Sequence, residues 1–207
     1  MDRRDSAYDL YLELLGVGPG RRALDRLVVG FVDGLVTLIA RHWLALANLS
    51  LFLFMLPPFL APLLMAAGYE APAHFIYLAY RLTCHQLPTR SYFLFGRQPV
   101  YSPEELGPFL NPASPAAFVG SPELGFKVAF CERDVAIYGV MLLAGLAYGL
   151  LRGRIRALDW RLFIVLILPL AVDGTTQLVG LRESDWLLRT VTGALFGAGW
   201  VWLAYPR

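Results

Sequence analysis

The sequence predicts an all-α integral membrane protein with four transmembrane helices, and three observations carry this prediction. Hydrophobic residues make up 57% of the 207 residues. Charged residues make up 16%, whereas a typical soluble domain has about 25%. Four segments are apolar over most of the roughly 20 residues that a helix needs to cross a bilayer. The expected partner is therefore the lipid bilayer. The net charge of +2, with no basic run among exposed aromatics, argues against nucleic acid.

Residues 1–42 are a cytoplasmic or interfacial segment ahead of the first convincing span. Residues 24–40 are apolar but short for a span, and Asp33 would be costly at the middle of a bilayer. We therefore expect an N-terminal amphipathic helix on the membrane surface. The alternative is that residues 24–40 form a fifth transmembrane helix, one that is short and carries charges. Residues 43–207 are predicted to form the four-helix membrane domain.

The first span is predicted at residues 43–67, which carry no charge. Pro57, Pro58 and Pro62 lie in its second half. Because proline has no backbone N–H to donate, we expect the helix to be kinked there.

Residues 70–132 are much more polar and are predicted to form a long extracytoplasmic loop. Within the loop, residues 73–87 place their apolar side chains at helical spacing. This pattern predicts an interfacial helix. Residues 98–122 are rich in proline, serine and glycine, which predicts irregular structure.

The other three spans are predicted at residues 135–151, 162–181 and 187–205. The middle one contains Asp173 and Gln177, which are four residues apart and therefore share a helix face. The last contains Gly193-x-x-x-Gly197, a small-residue face suited to close contact between helices.

Four spans place both termini on one side of the membrane. Arginines are more numerous on that side than on the other, although the bias is modest. By the positive-inside rule we place the protein in the cell (inner) membrane with both termini in the cytoplasm. The loop at residues 70–132 and both cysteines then face the outside.

The chain has only two cysteines, Cys84 and Cys131, each in a short polar segment. Three interpretations stay open. A disulfide between them on an oxidising face would stabilise by roughly 4 kcal/mol in the chain-entropy model. A transition metal is the second, although the spacing fits no standard zinc module; its ligands would be Cys84, His85, Cys131 and Asp134. The third is that both thiols pack as small apolar side chains.

The predicted outer side also gathers most of the unusual polar residues. An ionisable residue within a membrane span is a functional-site candidate. The alternative is that Asp173 pairs with Arg189 or Arg133 and pins the helix ends. The candidates for a polar site are His85, Gln86, Arg90, Ser91, Arg133, Asp173, Gln177, Arg182, Glu183, Ser184 and Arg189.

Together, these segments resemble the predicted membrane protein family catalogued as domain of unknown function 2085. The resemblance covers roughly residues 77–200. It implies a membrane location and a shared motif set, and it implies no activity. The family pattern usually has a second cysteine where Asp134 stands. The matching pieces are Cys84-His85-Gln86, Arg90-Ser91-Tyr92-Phe93 with Gly96, Cys131-Glu132-Arg133, Ile137-Tyr138-Gly139, Asp173-Gly174-Thr175-Thr176-Gln177, Arg182-Glu183-Ser184, and Leu188-Arg189 with Thr192-Gly193.

Three functions are compatible with this sequence. The first is an outward-facing polar site that binds or moves a small solute or ion. The second is a membrane enzyme acting on a lipid or redox carrier at the outer surface, with Asp173 or His85 as acid/base and Arg133 and Arg189 on an anionic head group. The third is a structural subunit of a larger membrane complex. Four spans are few for a transporter that acts alone, so the first function would favour a homo-oligomer. The first is favoured, because no nucleophile–base motif, phosphate loop or dinucleotide fingerprint occurs.

Overall fold

The computed structural model describes Tyr11 and residues 19–206. Most of the first 18 residues, and with them the start of the predicted 1–42 segment, lie outside the described residues. In chain order the helices are α1 (Pro19–Ala66), α2 (Glu70–Tyr80), α3 (Pro103–Leu106), α4 (Glu132–Leu151), α5 (Trp160–Leu178) and α6 (Trp186–Ala204). The strands are β1 (Phe93–Leu94), β2 (Gly120–Ser121) and β3 (Gly125–Lys127), which form one antiparallel sheet in the order β1-β3-β2.

The fold class is the predicted one, an all-α membrane protein to which the structure adds only a small sheet. Within the described residues, four helical segments are long and apolar enough to cross a membrane: Leu24–Ala66, Glu132–Leu151, Trp160–Leu178 and Trp186–Ala204. Large apolar side chains on these helices, such as Leu143, Leu150 and Leu168, are exposed in the isolated chain. Such extensive exposed apolar surface is accounted for by contact with lipid.

Helix α1 continues through the predicted border between an amphipathic segment and a span at residue 42. Residues 41–47 contain neither glycine nor proline, so nothing in the local sequence ends the helix there. The two segments therefore differ in charge but form one helix. Contacts divide the chain into two compact units after Ala47. The second unit begins at Asn48 and contains helices α2 to α6 and the sheet.

The prolines of α1 connect this helix to the polar region that follows it. Pro58 cannot donate to the carbonyl of Phe54, and the Tyr80 hydroxyl donates to that carbonyl at 2.7 Å. Pro62 likewise cannot donate to the carbonyl of Pro58, and the backbone N–H of Ala129 donates to it at 3.1 Å. Acceptors left free by the prolines are thus used for tertiary hydrogen bonds.

The predicted interfacial helix at residues 73–87 is shorter at its C-terminal end, since α2 ends at Tyr80. Gln86 has a left-handed backbone, with φ of +52°. Pro88 disfavours helical geometry in the residue before it. The chain therefore turns after α2. The thiol-bearing residue Cys84 packs with Val128 and Phe130 in a buried cluster.

Residues 98–122, predicted to be irregular, contain several short regular elements. Besides α3 and β2 there are 3-10 turns at Gly107–Phe109 and Pro115–Ala117. Ser102 caps α3: its hydroxyl accepts from the N–H of Glu105 at 3.3 Å, and its own N–H donates to the Glu105 carboxylate at 2.7 Å. A buried cluster lies beneath these elements and comprises Phe93, Tyr101 and Leu106.

Lys127, the only lysine of the sequence, is fully buried at the end of β3. Its ammonium donates to the backbone carbonyls of Gln86 at 2.7 Å and Ala116 at 2.9 Å. These bonds hold the turn after α2 and the loop after α3 against the sheet. Burial, with a smaller contribution from the charge of Arg81, lowers the pKa of Lys127 to about 7.

We expect the wild-type protein to become more stable between pH 7 and pH 9, and Lys127→Met to lose this dependence. In this interval the unfolded chain keeps the proton on the Lys127 amine while the folded chain releases it. The free energy of unfolding therefore rises with pH. The gain is roughly 2 kcal/mol, equivalent to roughly 4–8 °C in the thermal midpoint. Thermal unfolding in detergent micelles measures it. Arg97→Gln, a control that changes an exposed residue of the same region, is expected to keep the wild-type slope.

Candidate functional site

One end of the helix bundle brings together four parts of the chain: residues 83–90, the start of α4, the end of α5 and the start of α6. Helix α4 begins after Cys131, whose sulfur accepts from the N–H of Asp134 at 3.4 Å. Helix α6 begins after Asp185, whose carboxylate accepts from the N–H of Leu188 at 2.7 Å. Both caps fix the first turns of the helices that carry the polar side chains.

Close packing between α4 and α6 sets the register of these polar side chains. A Cβ atom at Gly193 would lie 2.9 Å from the Arg133 carbonyl oxygen, and one at Gly197 would lie 2.4 Å from that of Ile137. Only glycine allows this approach. Arg189 lies four residues before Gly193 and therefore on the same face of α6, toward α4.

Asp173 is the buried centre of an ion-pair cluster. Its carboxylate is 1% exposed and accepts from Arg133 at 2.5 Å, Arg182 at 2.7 Å and the Ser184 hydroxyl at 3.0 Å. Of the two partners considered from the sequence, Arg133 is the one observed. The second arginine is Arg182 and not Arg189. Because both carboxylate oxygens already accept hydrogen bonds from the protein, the arrangement favours a role for Asp173 in holding the helix ends together.

Arg189 pairs instead with Glu132, at 3.1 Å, with both side chains almost fully buried. Glu132 is absent from the candidates chosen from the sequence. Neighbouring residues on a helix point about 100° apart, so Glu132 reaches α6 while Arg133 reaches α5. The sequence did hold a signal for Glu132: an acidic residue directly before a basic one, three residues ahead of the span predicted at residues 135–151.

Gln177 lies between two arginines. Its amide is assigned with Oε1 toward them, because only donors surround that position. In this orientation Oε1 accepts from Arg189 at 3.1 Å and from Arg90 at 3.0 and 3.2 Å. Burial, and then the charge of Arg189, lower the pKa of Arg90. The Glu183 carboxylate is 3.8 Å from Arg90 and largely exposed, so it offsets little of the positive charge of the two arginines.

A cavity of about 500 Å³ opens at this end of the bundle. Arg133 and Arg189 are among its lining residues, and the Nε atom of each is buried without an acceptor among the described residues. Buried donors of this kind call for a bound partner such as water or an anion. The lining residues are Thr83, Cys84, His85, Gln86, Leu87, Arg90, Cys131, Arg133, Asp134, Gly174, Gln177, Leu178 and Arg189.

Both cysteines are free thiols at the wall of this cavity. The sulfurs of Cys84 and Cys131 and a carboxylate oxygen of Asp134 all lie within 4.8 Å of one another. The N–H of Cys131 donates to the Cys84 sulfur at 3.3 Å, and the Cys131 thiol donates to Asp134 at 3.1 Å. A hydrogen bond from Cys131 lowers the pKa of the Cys84 thiol. Three of the four predicted metal ligands therefore meet, and the disulfide stays a prediction.

The other sequence-predicted residues fall into two groups. Those that line the cavity are His85, Gln86, Arg90, Arg133, Gln177 and Arg189. Those outside its lining are Ser91, Asp173, Arg182, Glu183 and Ser184. Within the second group, Ser91 donates to the Leu87 carbonyl at 3.0 Å, a local bond that stabilises the turn. A binding role for any of these residues stays a prediction.

Comparisons with known proteins agree with the resemblance seen in the motifs. The family described as "Predicted membrane protein (DUF2085)" matches residues 123–203, which include α4, α5 and all of α6 except its last residue. The uncharacterized protein MJ1492 of Methanocaldococcus jannaschii is 34% identical over an alignment of 170 residues that covers 76% of this chain and 87% of that protein. No solved structure matches the chain. By this similarity over most of both chains, the protein belongs to the DUF2085 family of predicted membrane proteins.

Proposed function

We propose that this protein binds a small anionic solute, a carboxylate or phosphate, in the cavity at the outer end of its helix bundle. The proposal includes the cell membrane as its location and both termini in the cytoplasm, as the distribution of arginines favours. One observation carries it: the guanidinium groups of Arg90 and Arg189 converge on a single neutral oxygen, that of Gln177.

The local charges support an anionic ligand. The two buried carboxylates, Asp173 and Glu132, are engaged by Arg133, Arg182 and Arg189. Among the described residues, the one carboxylate within 4 Å of the Arg90 guanidinium is that of Glu183, which is exposed, so Arg90 forms no ion pair with a buried carboxylate. Two cations that share one amide oxygen repel each other, and an anion between them would remove this repulsion.

The shape of the site suits a small ligand with several oxygens. Ion pairs hold Arg133 and Arg189 in place before a ligand arrives, which reduces the entropy lost on binding. Guanidinium groups bind carboxylate and phosphate through paired hydrogen bonds. The volume of about 500 Å³ is within the range of about 300–1,000 Å³ for small-molecule sites.

The cavity also helps to weigh the other interpretations. A structural subunit would need no polar cavity, so a cavity supports a binding protein or an enzyme instead. An enzyme with Asp173 as acid/base is disfavoured, because that carboxylate is buried and accepts three hydrogen bonds. Binding is therefore the function that the geometry supports best.

Arg90→Gln is expected to weaken the binding of inorganic phosphate and of succinate by at least about tenfold, since a hydrogen bond to a charged group contributes roughly 1.5–3 kcal/mol. Isothermal titration of the purified protein in neutral detergent measures the affinities. The matched control is Arg97→Gln, which removes the same charge from an exposed position outside the cavity lining. Equal affinities for the two variants, or no binding of either anion to the wild type, would contradict the proposal.

A further inference from the structure

The cavity has a second chemical feature besides its arginines, the group of Cys84, Cys131 and Asp134. Their two sulfurs and one carboxylate oxygen lie within 4.8 Å of one another, and all three residues line the cavity. The two cysteines are 47 residues apart in sequence, so the fold brings them together. Soft sulfur donors with one oxygen donor are a ligand set that favours zinc over magnesium or calcium.

We propose that Cys84, Cys131 and Asp134 bind one zinc ion, with its fourth position open to the cavity. This site lies in the wall of the same cavity as the proposed anion site, but its three ligands are other side chains and it does not depend on anion binding. Zinc with three protein ligands keeps a fourth position for water or another donor. His85, which directly follows Cys84 in the sequence, lines the same cavity and is a protein candidate for that position.

The observed spacing is close to what zinc requires. Zinc–sulfur bonds of about 2.3 Å and zinc–oxygen bonds of about 2.0–2.2 Å in a tetrahedron place neighbouring donors roughly 3.5–3.8 Å apart. The Cys131 sulfur and the Asp134 oxygen are 3.1 Å apart, and no pair exceeds 4.8 Å. Shifts of about an ångström or less in these side chains, within the reach of rotamer adjustment, would therefore form the site.

Backbone groups already support the two sulfurs as ligands. The N–H of Cys131 donates to the Cys84 sulfur at 3.3 Å, and the N–H of Asp134 donates to the Cys131 sulfur at 3.4 Å. Hydrogen bonds of this kind orient ligands and stabilise thiolates in metal sites.

The charges also balance when the ion is present. Two thiolates and a carboxylate carry three negative charges, so zinc leaves a single negative charge on the group. Arg90 and Arg133 line the same cavity and offset that charge.

The test uses the full chain, purified in detergent under reducing conditions, stripped with a chelator and reloaded with zinc. We expect one zinc per chain by elemental analysis, and at least tenfold weaker zinc binding in Cys84→Ser, Cys131→Ser and Asp134→Asn. Asp134→Cys is expected to keep the metal. With cobalt in place of zinc, this variant should strengthen the thiolate-to-cobalt absorption by about half, since three thiolates replace two.

Glu183→Gln is the matched control, because it neutralises an exposed carboxylate near the cavity but outside its lining; its zinc content should equal that of the wild type. Asp134→Asn and Asp134→Cys keep the test decisive if a serine variant does not fold. Three results would each overturn the proposal: a wild type without zinc, serine variants that keep it, or a Cys84–Cys131 disulfide in protein alkylated at the moment of cell lysis.

Discussion

Asp173→Ala is expected to lower the free energy of unfolding by roughly 3–5 kcal/mol. The Asp173 side chain is 1% exposed and bonds to Arg133, Arg182 and Ser184. Alanine would leave two guanidinium groups without their counter-charge, and the one on Arg133 is largely buried, so it could not be fully rehydrated. The three residues lie on or near the ends of α4, α5 and α6, so losing the carboxylate loosens all three helices at the same end.

The thermal midpoint in detergent micelles should fall by roughly 6–20 °C for a loss of this size. Asp173→Asn should lose less, because the amide keeps an acceptor for Ser184. Glu183→Ala, which removes a carboxylate that is 76% exposed and 3.8 Å from its arginine, is expected to stay within about 0.5 kcal/mol of the wild type. If Asp173→Ala unfolded at the wild-type temperature, the carboxylate would not hold the helix ends.

The cavity offers a second readout of the same variant. Arg133 lines the cavity, and its guanidinium is fixed by Asp173. Once that ion pair is lost, Arg133 becomes mobile, and anion affinity should fall even below the unfolding temperature. If Asp173→Ala unfolded at a lower temperature but, while folded, bound phosphate as tightly as the wild type, Asp173 would be assigned to stability alone.

The parts of this structure that could be predicted from sequence are those set by local composition. Length and apolar character located the four spans, and the four-residue spacing placed Asp173 and Gln177 on one face of α5. The small sheet was not predicted, because β1 and β3 have only two and three residues, too few for an alternating pattern to be recognised in the sequence. The continuity of α1 was missed because charge, and not a helix-breaking residue, suggested the border.

Pairings between distant residues could not be predicted in the same way. Arg189 and Glu132 are 57 residues apart, and only the register of α6 against α4 determines that they meet. Lys127 was not singled out, since a lone lysine in a polar region usually lies in solvent. Its burial depends on carbonyls contributed by Gln86 and Ala116, from two separate turns. The chemistry of the site was thus visible in the sequence, but its geometry required the fold.

Gly197→Ala tests the register on which the site depends, and we expect it to lower the free energy of unfolding by roughly 2–3 kcal/mol. The added Cβ would lie 2.4 Å from the Ile137 carbonyl oxygen, a backbone atom that cannot move away alone. Helix α6 would have to shift from α4. The shift outweighs the gain of up to about 1 kcal/mol that alanine brings to a helix interior.

The matched control is Gly139→Ala on α4, where the nearest atom to the new Cβ is the flexible Met55 methyl at 3.6 Å. At this position alanine raises helix propensity without a steric clash, so the thermal midpoint should stay the same or rise. In Gly197→Ala the midpoint should fall by roughly 4–12 °C.

Because Arg189 shares the face of α6 that carries Gly197, the same shift pulls its guanidinium away from Glu132 and the cavity. Phosphate affinity should then fall in Gly197→Ala and not in Gly139→Ala; equal behaviour of the two variants would show that close α4–α6 contact does not set the geometry of the site.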